Sequence, residues 1–186
     1  MPTLGVLAVI IENDRILLTQ RDDFAVWCLP GGAIEDVESL EEAAAREVSE
    51  ETGLQARLTR LVGVYSQPQW YRGGHHFALF AGEPIGGVLR LEAGETIDAG
   101  FFELGALPEP LVWWHWQPIA DALAGAIGVA RVIHGDWPLD PRLTRDELYA
   151  LRDQSGLTRQ EFYLQHWRNL QPSQDISGEQ DANLSS

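Results

Sequence analysis

The sequence has a single cysteine, Cys28, among its 186 residues. An intramolecular disulfide is therefore excluded, and so is a zinc site built mainly from cysteines. No run approaches the about 18 consecutive apolar residues that a membrane-spanning helix requires. The apolar residues 1–11 are too few for a span, and they lack the basic flank and cleavage signature of a secretory signal. These absences predict a cytoplasmic protein with no membrane partner.

Positive charge is also scarce. The chain has 13 Lys and Arg residues against 28 Asp and Glu residues, which gives a net charge of −15. Nucleic-acid binding depends on phosphate neutralisation by Lys and Arg, so no nucleic acid is expected as the main partner. A small phosphorylated substrate would meet the same repulsion unless bound cations screened it, and metal ions are the obvious source of such cations.

The composition is that of a folded protein, because 45% of the residues are hydrophobic and can form a buried core. The length fits one domain with some excess. Short apolar runs bounded by turn residues predict strands. These runs are residues 5–11, 15–19, 27–29, 58–65, 75–81 and 101–102. Strands mixed with helices predict the α/β class.

A helix is predicted over residues 39–52. Ser39 and Glu42 have the spacing of a capping box, the three alanines that follow favour helix, and Gly53 suits a C-terminal cap. A second helix is predicted over residues 111–126, despite Pro118 near its middle.

The character of the chain changes after about residue 140. Residues 144–153 and 158–169 each begin with a threonine that is followed by an acidic residue, and each is predicted to be a helix. We therefore expect three parts: a domain over residues 1–139, a helical C-terminal extension over 140–171, and a disordered polar tail over 172–186.

Three acidic residues in the first helix carry the strongest chemical signal. Glu47, Glu50 and Glu51 stand at positions i, i+3 and i+4, so their carboxylates share one face, although like charges at this spacing destabilise a helix. The helical wheel turns Glu47 and Glu51 toward the side of Leu40 and Ala44, hence toward the protein interior. Inward carboxylates are costly unless they are paired or bind metal, and carboxylate oxygens suit Mg²⁺ or Mn²⁺.

A solvated acidic face is the plain alternative for any one pair of glutamates, but the whole segment argues against it. Its fixed residues at this spacing should arise by chance roughly once in a million chains of this composition. Residues 32–54 resemble the Nudix box, G-x5-E-x7-R-E-U-x-E-E-x-G-U, where U is a bulky aliphatic residue. Every fixed position is present, and Val48 and Leu54 fill the aliphatic places.

The resemblance implies a Nudix-like α/β/α sandwich with a mixed central sheet, extending to about Ala126. It also implies a hydrolase that cleaves a nucleoside diphosphate linked to another moiety, with Mg²⁺ or Mn²⁺ as cofactor. The implied metal ligands are Glu47, Glu50, Glu51 and, directly or through water, Glu38. Arg46 would hold Glu47 in place. The implied catalytic residues are Glu50, Glu51, Arg46 and a base outside the box.

Residues outside the box give weaker signals. Glu95 is our choice for the general base, with Glu92 and Asp98 as other candidates and solvated loop charges as the alternative for all three. Substrate contacts are expected from the Gly31–Gly32 loop and from the aromatic loop that carries Trp70, Tyr71 and Arg72. Packing roles are expected for Trp27, Cys28, His75, His76, Trp113, Trp114 and Trp116.

Two other functions remain in competition. The first is a non-catalytic Nudix-like sensor that binds a nucleotide and regulates a partner, although such domains usually lose box carboxylates. The second is an isomerase of isoprenoid diphosphates on the same fold, for which Cys28 sits in a poorly matching motif. The substrate is left open among ADP-ribose, other nucleotide sugars, nucleoside triphosphates and dinucleoside polyphosphates, and a homodimer is possible.

Overall fold

The computed structural model describes residues 3–70, 73–91, 96–135 and 137–168. Within these residues, eight strands and four α-helices follow one another, with a short 3-10 helix before the second α-helix. Their bounds are β1 Thr3–Glu12, β2 Arg15–Arg21, β3 Trp27–Cys28, β4 Gly31–Ala33, α1 Leu40–Thr52, β5 Leu54–Gln67, β6 His75–Gly87, β7 Thr96–Glu103, the 3-10 helix Trp113–His115, α2 Trp116–Leu123, β8 Val129–Val132, α3 Arg145–Gln154 and α4 Arg159–Trp167. No described helix is long and apolar enough to cross a membrane.

The strands form a mixed sheet, which confirms the predicted α/β class. The main order is β3-β2-β1-β6-β5-β8, while β4 pairs with β1 and β7 pairs with β2. The pairs β1–β6 and β5–β8 are parallel, and the other pairs are antiparallel. Strand β1 lies at the centre of this sheet and is covered on both faces. This position explains why its sequence is a nearly continuous apolar run.

The two faces of β1 divide the core between two helical layers. Ala8 and Ile10 pack with Val48 of α1 on one face. Val9, which points the other way, packs with Ile119 of α2. Successive side chains of a strand alternate between faces, so β1 anchors both helical layers. The predicted α/β/α arrangement is therefore confirmed.

Helix α1 forms where the sequence predicts it. The Ser39 hydroxyl accepts the backbone N–H of Glu42, and the Glu42 carboxylate accepts the backbone N–H of Ser39. At the other end, Gly53 has φ 70° and donates its N–H to the carbonyl of Ser49. A left-handed C-cap of this kind favours glycine. Helix α1 is therefore fixed at both ends, and its C-terminal half carries Glu47, Glu50 and Glu51.

The structure corrects the predicted helix over residues 111–126. Leu111 instead pairs with Trp27 in an isolated bridge, and the α-helix begins only at Trp116. Pro118 then lies in the first turn of α2, where its missing N–H costs nothing. Two strands, β4 and β8, were not predicted, because the first consists of two glycines and an alanine and the second of four residues that pair far along the chain.

The two predicted C-terminal helices are present as α3 and α4. Thr144 and Thr158 are their N-caps, and each forms a complete capping box with the glutamate three residues later. The apolar faces of both helices pack in a buried cluster with residues at β3 and at the 3-10 helix. That cluster contains Val26, Cys28, Val112, Trp113, Leu148, Phe162, Tyr163 and Trp167. The predicted tail over residues 172–186 lies outside the described residues.

Candidate active site

Arg46 is the hub of the acidic end of α1. Its guanidinium donates to both oxygens of Glu38, at 3.0 and 2.8 Å, to Glu47 at 3.0 Å and to Glu50 at 2.8 Å. It also donates to the carbonyl of Ala33 at 3.0 Å. The expected contact with Glu47 is present, and the arginine contacts Glu38 as well. Its hydrogen bonds hold the pKa of Glu38 below its ordinary range and fix three carboxylates relative to β4.

Glu47 lies between the helix and the glycines of β4. Its side chain is only 14% exposed, and this burial raises its pKa in spite of the contact with Arg46. A Cβ on Gly32 would stand 2.4 Å from the Glu47 carboxylate oxygen, so a larger residue would displace it. Gly31 has φ 154°, and a Cβ there would meet the Val6 carbonyl at 2.2 Å. Gly32 therefore lets β4 lie close beside the carboxylate, and Gly31 lets β4 lie close to β1.

Glu51 is the most deeply placed of the three glutamates. The hydroxyl of Thr19, on β2, donates to its carboxylate at 3.1 Å. Burial, together with the negative charge of Glu47, raises the pKa of Glu51 to about 7. Both inward-facing carboxylates are therefore short of solvent and repel each other. The helical-wheel prediction that Glu47 and Glu51 face the body of the protein is confirmed.

Glu50 completes the triad in a different environment. Its side chain is 56% exposed and pairs with Arg46 on the outer side of the helix. Within the described part of the chain, no three His, Cys, Asp or Glu side chains converge as a finished metal cage, because Arg46 lies among the carboxylates. The donor set nevertheless fits a hard divalent cation: it offers only oxygens, and a cation would relieve the repulsion between Glu47 and Glu51.

A cavity of about 730 Å³ opens beside these groups. Four of the predicted site residues line it: Gly31, Gly32, Glu47 and Glu51. Its size is that of a small-molecule pocket. Carboxylates and close backbone at one wall, next to apolar and aromatic surface, can hold a metal-screened phosphate and an organic group together.

Two histidines also reach this cavity: His75, which was expected only to pack, and His115, for which no role was predicted. His75 lines it and hydrogen-bonds through Nδ1 to the Thr3 hydroxyl at 2.8 Å. His115 lines it as well, and its Nδ1 accepts the backbone N–H of Leu29 at 2.9 Å. Burial lowers the pKa of His115 to about 3, so it is a neutral acceptor. The sequence missed both positions because they follow from contacts between distant segments: His75 pairs with Thr3, and His115 contacts Leu29.

Trp70, which was predicted to contact the substrate, packs in a cluster of tryptophans instead. The ring of Trp70 packs against Trp113, Trp114 and Trp137, at centroid distances of 5.7, 4.9 and 4.9 Å. Of these four rings, Trp114 lines the cavity. The structure therefore places Trp70 in an aromatic cluster behind the cavity wall, because four large rings bury more surface together than one ring buries in a loop.

Of the remaining residues predicted for the site, one lies in the described part of the chain and four do not. Asp98 is exposed on β7 and accepts the backbone N–H of Ala99 at 2.8 Å, and it is not among the lining residues. The other predicted site residues lie outside the described residues: Tyr71, Arg72, Glu92 and Glu95. Glu95 therefore stays a prediction for the general base.

Helix α3 also borders the cavity, a role that the sequence did not indicate. Arg145, Tyr149 and Arg152 line the same cavity as Glu47 and Glu51 of α1. Arg21 and Asp23, at the end of β2, lie beside them and are joined by two hydrogen bonds of 3.0 and 2.5 Å. The cavity thus has an acidic wall, Glu47 and Glu51, and an arginine wall, which consists of Arg21, Arg145, Tyr149 and Arg152.

Comparisons with known proteins agree with this geometry. A family model described as NUDIX domain matches residues 1–122. A Bacillus subtilis protein named for 8-oxo-dGTP diphosphatase activity is 39% identical over 127 residues, which cover 68% of this chain and 83% of that protein. An ADP-ribose pyrophosphatase of Methanocaldococcus jannaschii is 38% identical over 125 residues, covering 64% and 72%. The crystal structure of a Streptococcus suis ADP-ribose pyrophosphatase superposes with a TM-score of 0.59 at 28% identity, over 71% of this chain and 99% of the other.

Proposed function

The chain belongs to the NUDIX domain family and is a hydrolase of diphosphate linkages, and on that premise we propose how its site works. Glu47, Glu50 and Glu51, supported by Glu38, hold Mg²⁺ or Mn²⁺. The substrate is a nucleoside diphosphate linked to another moiety. The observation that carries the proposal is the pair of buried, mutually repelling carboxylates at the cavity, Glu47 and Glu51.

The residues of this chain have separable tasks in the reaction. When bound, the divalent ion supplies charge screening and an acidified water. Arg46 keeps Glu38, Glu47 and Glu50 in fixed positions through its hydrogen bonds. The Thr19 hydroxyl orients Glu51 by donating a hydrogen bond to its carboxylate. Positioning and electrostatics of this kind supply most of the acceleration when a nucleophile attacks phosphorus.

The proposal extends to Glu95, Tyr71 and Arg72 only as sequence predictions. Glu95 would take the proton of the attacking water, while Tyr71 and Arg72 would touch the substrate. A cytoplasmic location and a homodimer are proposals of the same kind. Light scattering after size-exclusion chromatography would test the dimer.

The names of the relatives indicate which substrate classes to consider. The two proteins matched in sequence are named for a nucleoside triphosphate and for a nucleotide sugar, respectively. Both compounds contain a nucleoside diphosphate, and the cavity of about 730 Å³ is large enough for either. We therefore propose both classes as candidates and test them together.

The test is a panel of nucleotide diphosphate compounds with Mg²⁺, run on the wild type and on Glu51→Gln. We expect kcat to fall by at least about a hundredfold on any compound that the wild type hydrolyses, because a charged metal ligand is lost. Glu41→Gln is the matched control: it removes an exposed carboxylate from the first turn of the same helix. Equal rates for Glu51→Gln and the wild type would reject the proposed role of Glu51.

A further inference from the structure

His115 is a polar residue of the cavity to which the proposed reaction gives no task. It ends the short 3-10 helix before α2, is only 4% exposed and lines the same cavity as Glu47 and Glu51. Its ring is held by one hydrogen bond, which Nδ1 accepts from the backbone N–H of Leu29 at 2.9 Å. The second ring nitrogen, Nε2, is therefore presented in a fixed direction.

The bond to Leu29 also decides which ring nitrogen carries the proton. A backbone N–H can only donate, so Nδ1 is the acceptor and has no proton. Burial lowers the pKa of His115 to about 3, so the ring is neutral and its one proton is on Nε2. His75, the other histidine of the cavity, has no such fixed tautomer, because its partner is the Thr3 hydroxyl, which can donate or accept.

The Nε2–H of His115 meets the cavity. Within the described part of the chain, the ring has a hydrogen bond to Leu29 and an edge contact with Trp114, and neither uses Nε2 as a donor. Nε2 is also not among the side-chain atoms that are both fully buried and without a partner there. The atom therefore keeps some accessible surface, and the space that His115 lines is the cavity.

The surface around this donor is apolar and aromatic. Leu29 and Phe77 line the same cavity, and so does Trp114, whose ring is partly exposed. The Trp114 ring stands at 86° to that of His115, with 5.7 Å between the centroids. Apolar walls with a few well-placed polar groups are the usual construction of a site for an organic group. A phosphate would be bound better by a charged donor, since charge-assisted hydrogen bonds are roughly twice as strong as neutral ones.

His115 is connected to the acidic wall through a short series of contacts. Its partner Leu29 directly follows Cys28, whose Sγ lies 3.4 Å from the Thr19 hydroxyl oxygen. The same hydroxyl donates to Glu51 at 3.1 Å. One ligand in a cavity of about 730 Å³ can therefore contact both the acidic wall and His115.

We propose that the Nε2–H of His115 donates a hydrogen bond to an uncharged acceptor, a carbonyl oxygen or a ring nitrogen, on the nucleobase of the substrate. His115 is then a specificity-determining residue. A base that presents an N–H at this point would leave two donors facing each other, and a mismatch of this kind discriminates strongly between substrates. The inference rests on the proposed function, since it takes the substrate to be a nucleotide whose phosphates lie at the acidic wall.

Two substitutions separate the tasks of the two ring nitrogens. His115→Asn places an amide oxygen where Nδ1 stood, because both atoms are bonded to Cγ, and it leaves no donor at the position of Nε2. His115→Gln reaches one bond further and places its amide near the position of Nε2, but it removes the acceptor of the Leu29 N–H. The first variant thus keeps the contact with the fold and loses the donor, and the second does the reverse.

The test is titration calorimetry of ADP, GDP, CDP and UDP with the whole chain, using Ca²⁺ in place of Mg²⁺ to slow hydrolysis and pyrophosphate as the probe without a base. The wild type should bind at least one nucleotide more tightly than pyrophosphate. His115→Asn should weaken binding of the tightest nucleotide by about tenfold, the effect of one lost buried hydrogen bond, and binding of pyrophosphate by less than about twofold.

His115→Gln should show the opposite pattern. It should retain more nucleotide affinity than His115→Asn, but its Tm should fall by roughly 2–10 °C, because the buried N–H of Leu29 loses its acceptor. The Tm of His115→Asn should stay close to that of the wild type. If His115→Gln instead binds nucleotides more weakly than His115→Asn, only the contact with Leu29 matters and the inference is wrong.

The matched control is His76→Asn. The Nδ1 of His76 lies 2.9 Å from the Ser66 hydroxyl oxygen, but His76 is not among the residues that line the cavity. This variant should bind every probe as the wild type does. A 2′,3′-dideoxy form of the tightest nucleotide separates the base from the ribose, and His115→Asn should weaken its binding by the same factor.

Four results would overturn the inference. They are unchanged nucleotide binding by His115→Asn, an equal loss of pyrophosphate binding, no effect of the variant on the dideoxy nucleotide, and a wild type that binds no nucleotide more tightly than pyrophosphate. Failure of the proposed function would look different: with Mg²⁺, the wild type would hydrolyse no diphosphate on the substrate panel, whatever it binds.

Discussion

The two walls of the cavity differ in charge, in origin and in how far apart their residues lie along the chain. The acidic wall comes from a single turn of α1, where Glu47 and Glu51 are neighbours on one helix face. The arginine wall joins Arg21, at the end of β2, to residues of α3 that follow more than a hundred positions later. The first wall is a local property of the sequence, and the second exists only after the chain has folded.

Because of this difference, we expect substitutions in the two walls to alter different properties of the protein. The acidic wall is confined to the segment that resembles the Nudix box, where we propose that the diphosphate is cleaved. The arginine wall rests on helices outside the matched residues 1–122. The first wall therefore lies wholly within the matched residues, whereas of the second wall only Arg21 does.

The largest expected effect is on the attachment of the arginine wall. Leu148 is buried on the inner side of α3 in the cluster with Trp113 and Phe162, and Leu148→Ala should lower the free energy of unfolding by about 2–5 kcal/mol. The control is Leu151→Ala on the same helix, where the leucine is 43% exposed and the loss should stay below about 1 kcal/mol. Urea denaturation measures both, and equal losses would show that α3 does not rest on this cluster.

A second effect concerns the acidic wall and depends on pH. The pKa of Glu51 is raised to about 7 from an ordinary value of 4.5, so its contribution to stability is fully present below pH 4.5 and is lost as the pH rises through 7. Without metal, Glu51→Gln should therefore be more stable than the wild type at pH 8, by up to about 3 kcal/mol.

The difference between the two proteins should largely vanish near pH 4.5. Denaturation in EDTA at both pH values measures it, and the comparison cancels the titration of other groups such as His115. A variant that is no more stable than the wild type at pH 8 would mean that the Glu51 carboxylate is not short of solvent. The inactive variant is expected to be the more stable one, as often happens when a strained site is relieved.

The smallest of the three effects tests the hub of the acidic wall. Arg46→Gln removes the cation that joins Glu38, Glu47 and Glu50. The Mg²⁺ concentration for half-maximal activity should rise by about tenfold, as for the loss of a group that orients metal ligands. Arg57→Gln removes an exposed arginine from β5 and should leave this concentration unchanged. If the two variants behave alike, Arg46 does not position the ligands.

The sequence alone was sufficient to predict the features that depend on residues close together in the chain. The capping box at Ser39, the αL cap at Gly53 and the inward direction of Glu47 and Glu51 all follow from spacing within one helix. The same holds for the caps of α3 and α4. Each of these features depends on residues within about four positions of one another, which is the reach of helical periodicity.

The sequence was insufficient where folding joins distant segments. His75 reaches the cavity because β6 pairs with β1 and places it opposite Thr3. Arg145 and Tyr149 reach it because α3 docks on the turn after β2. Trp70 was predicted to contact the substrate, but it packs against other tryptophans instead. Pairings of this kind depend on tertiary contacts that no local pattern contains.

The most direct test of the central claim is to locate the metal. A crystal soaked in Mn²⁺ should give an anomalous peak at the acidic wall, about 2.0–2.6 Å from carboxylate oxygens of Glu47 and Glu51, and the same soak of Glu51→Gln should give a weaker peak or none. An empty acidic wall at saturating Mn²⁺, or side chains of Glu47 and Glu51 turned out into bulk solvent, would contradict the account.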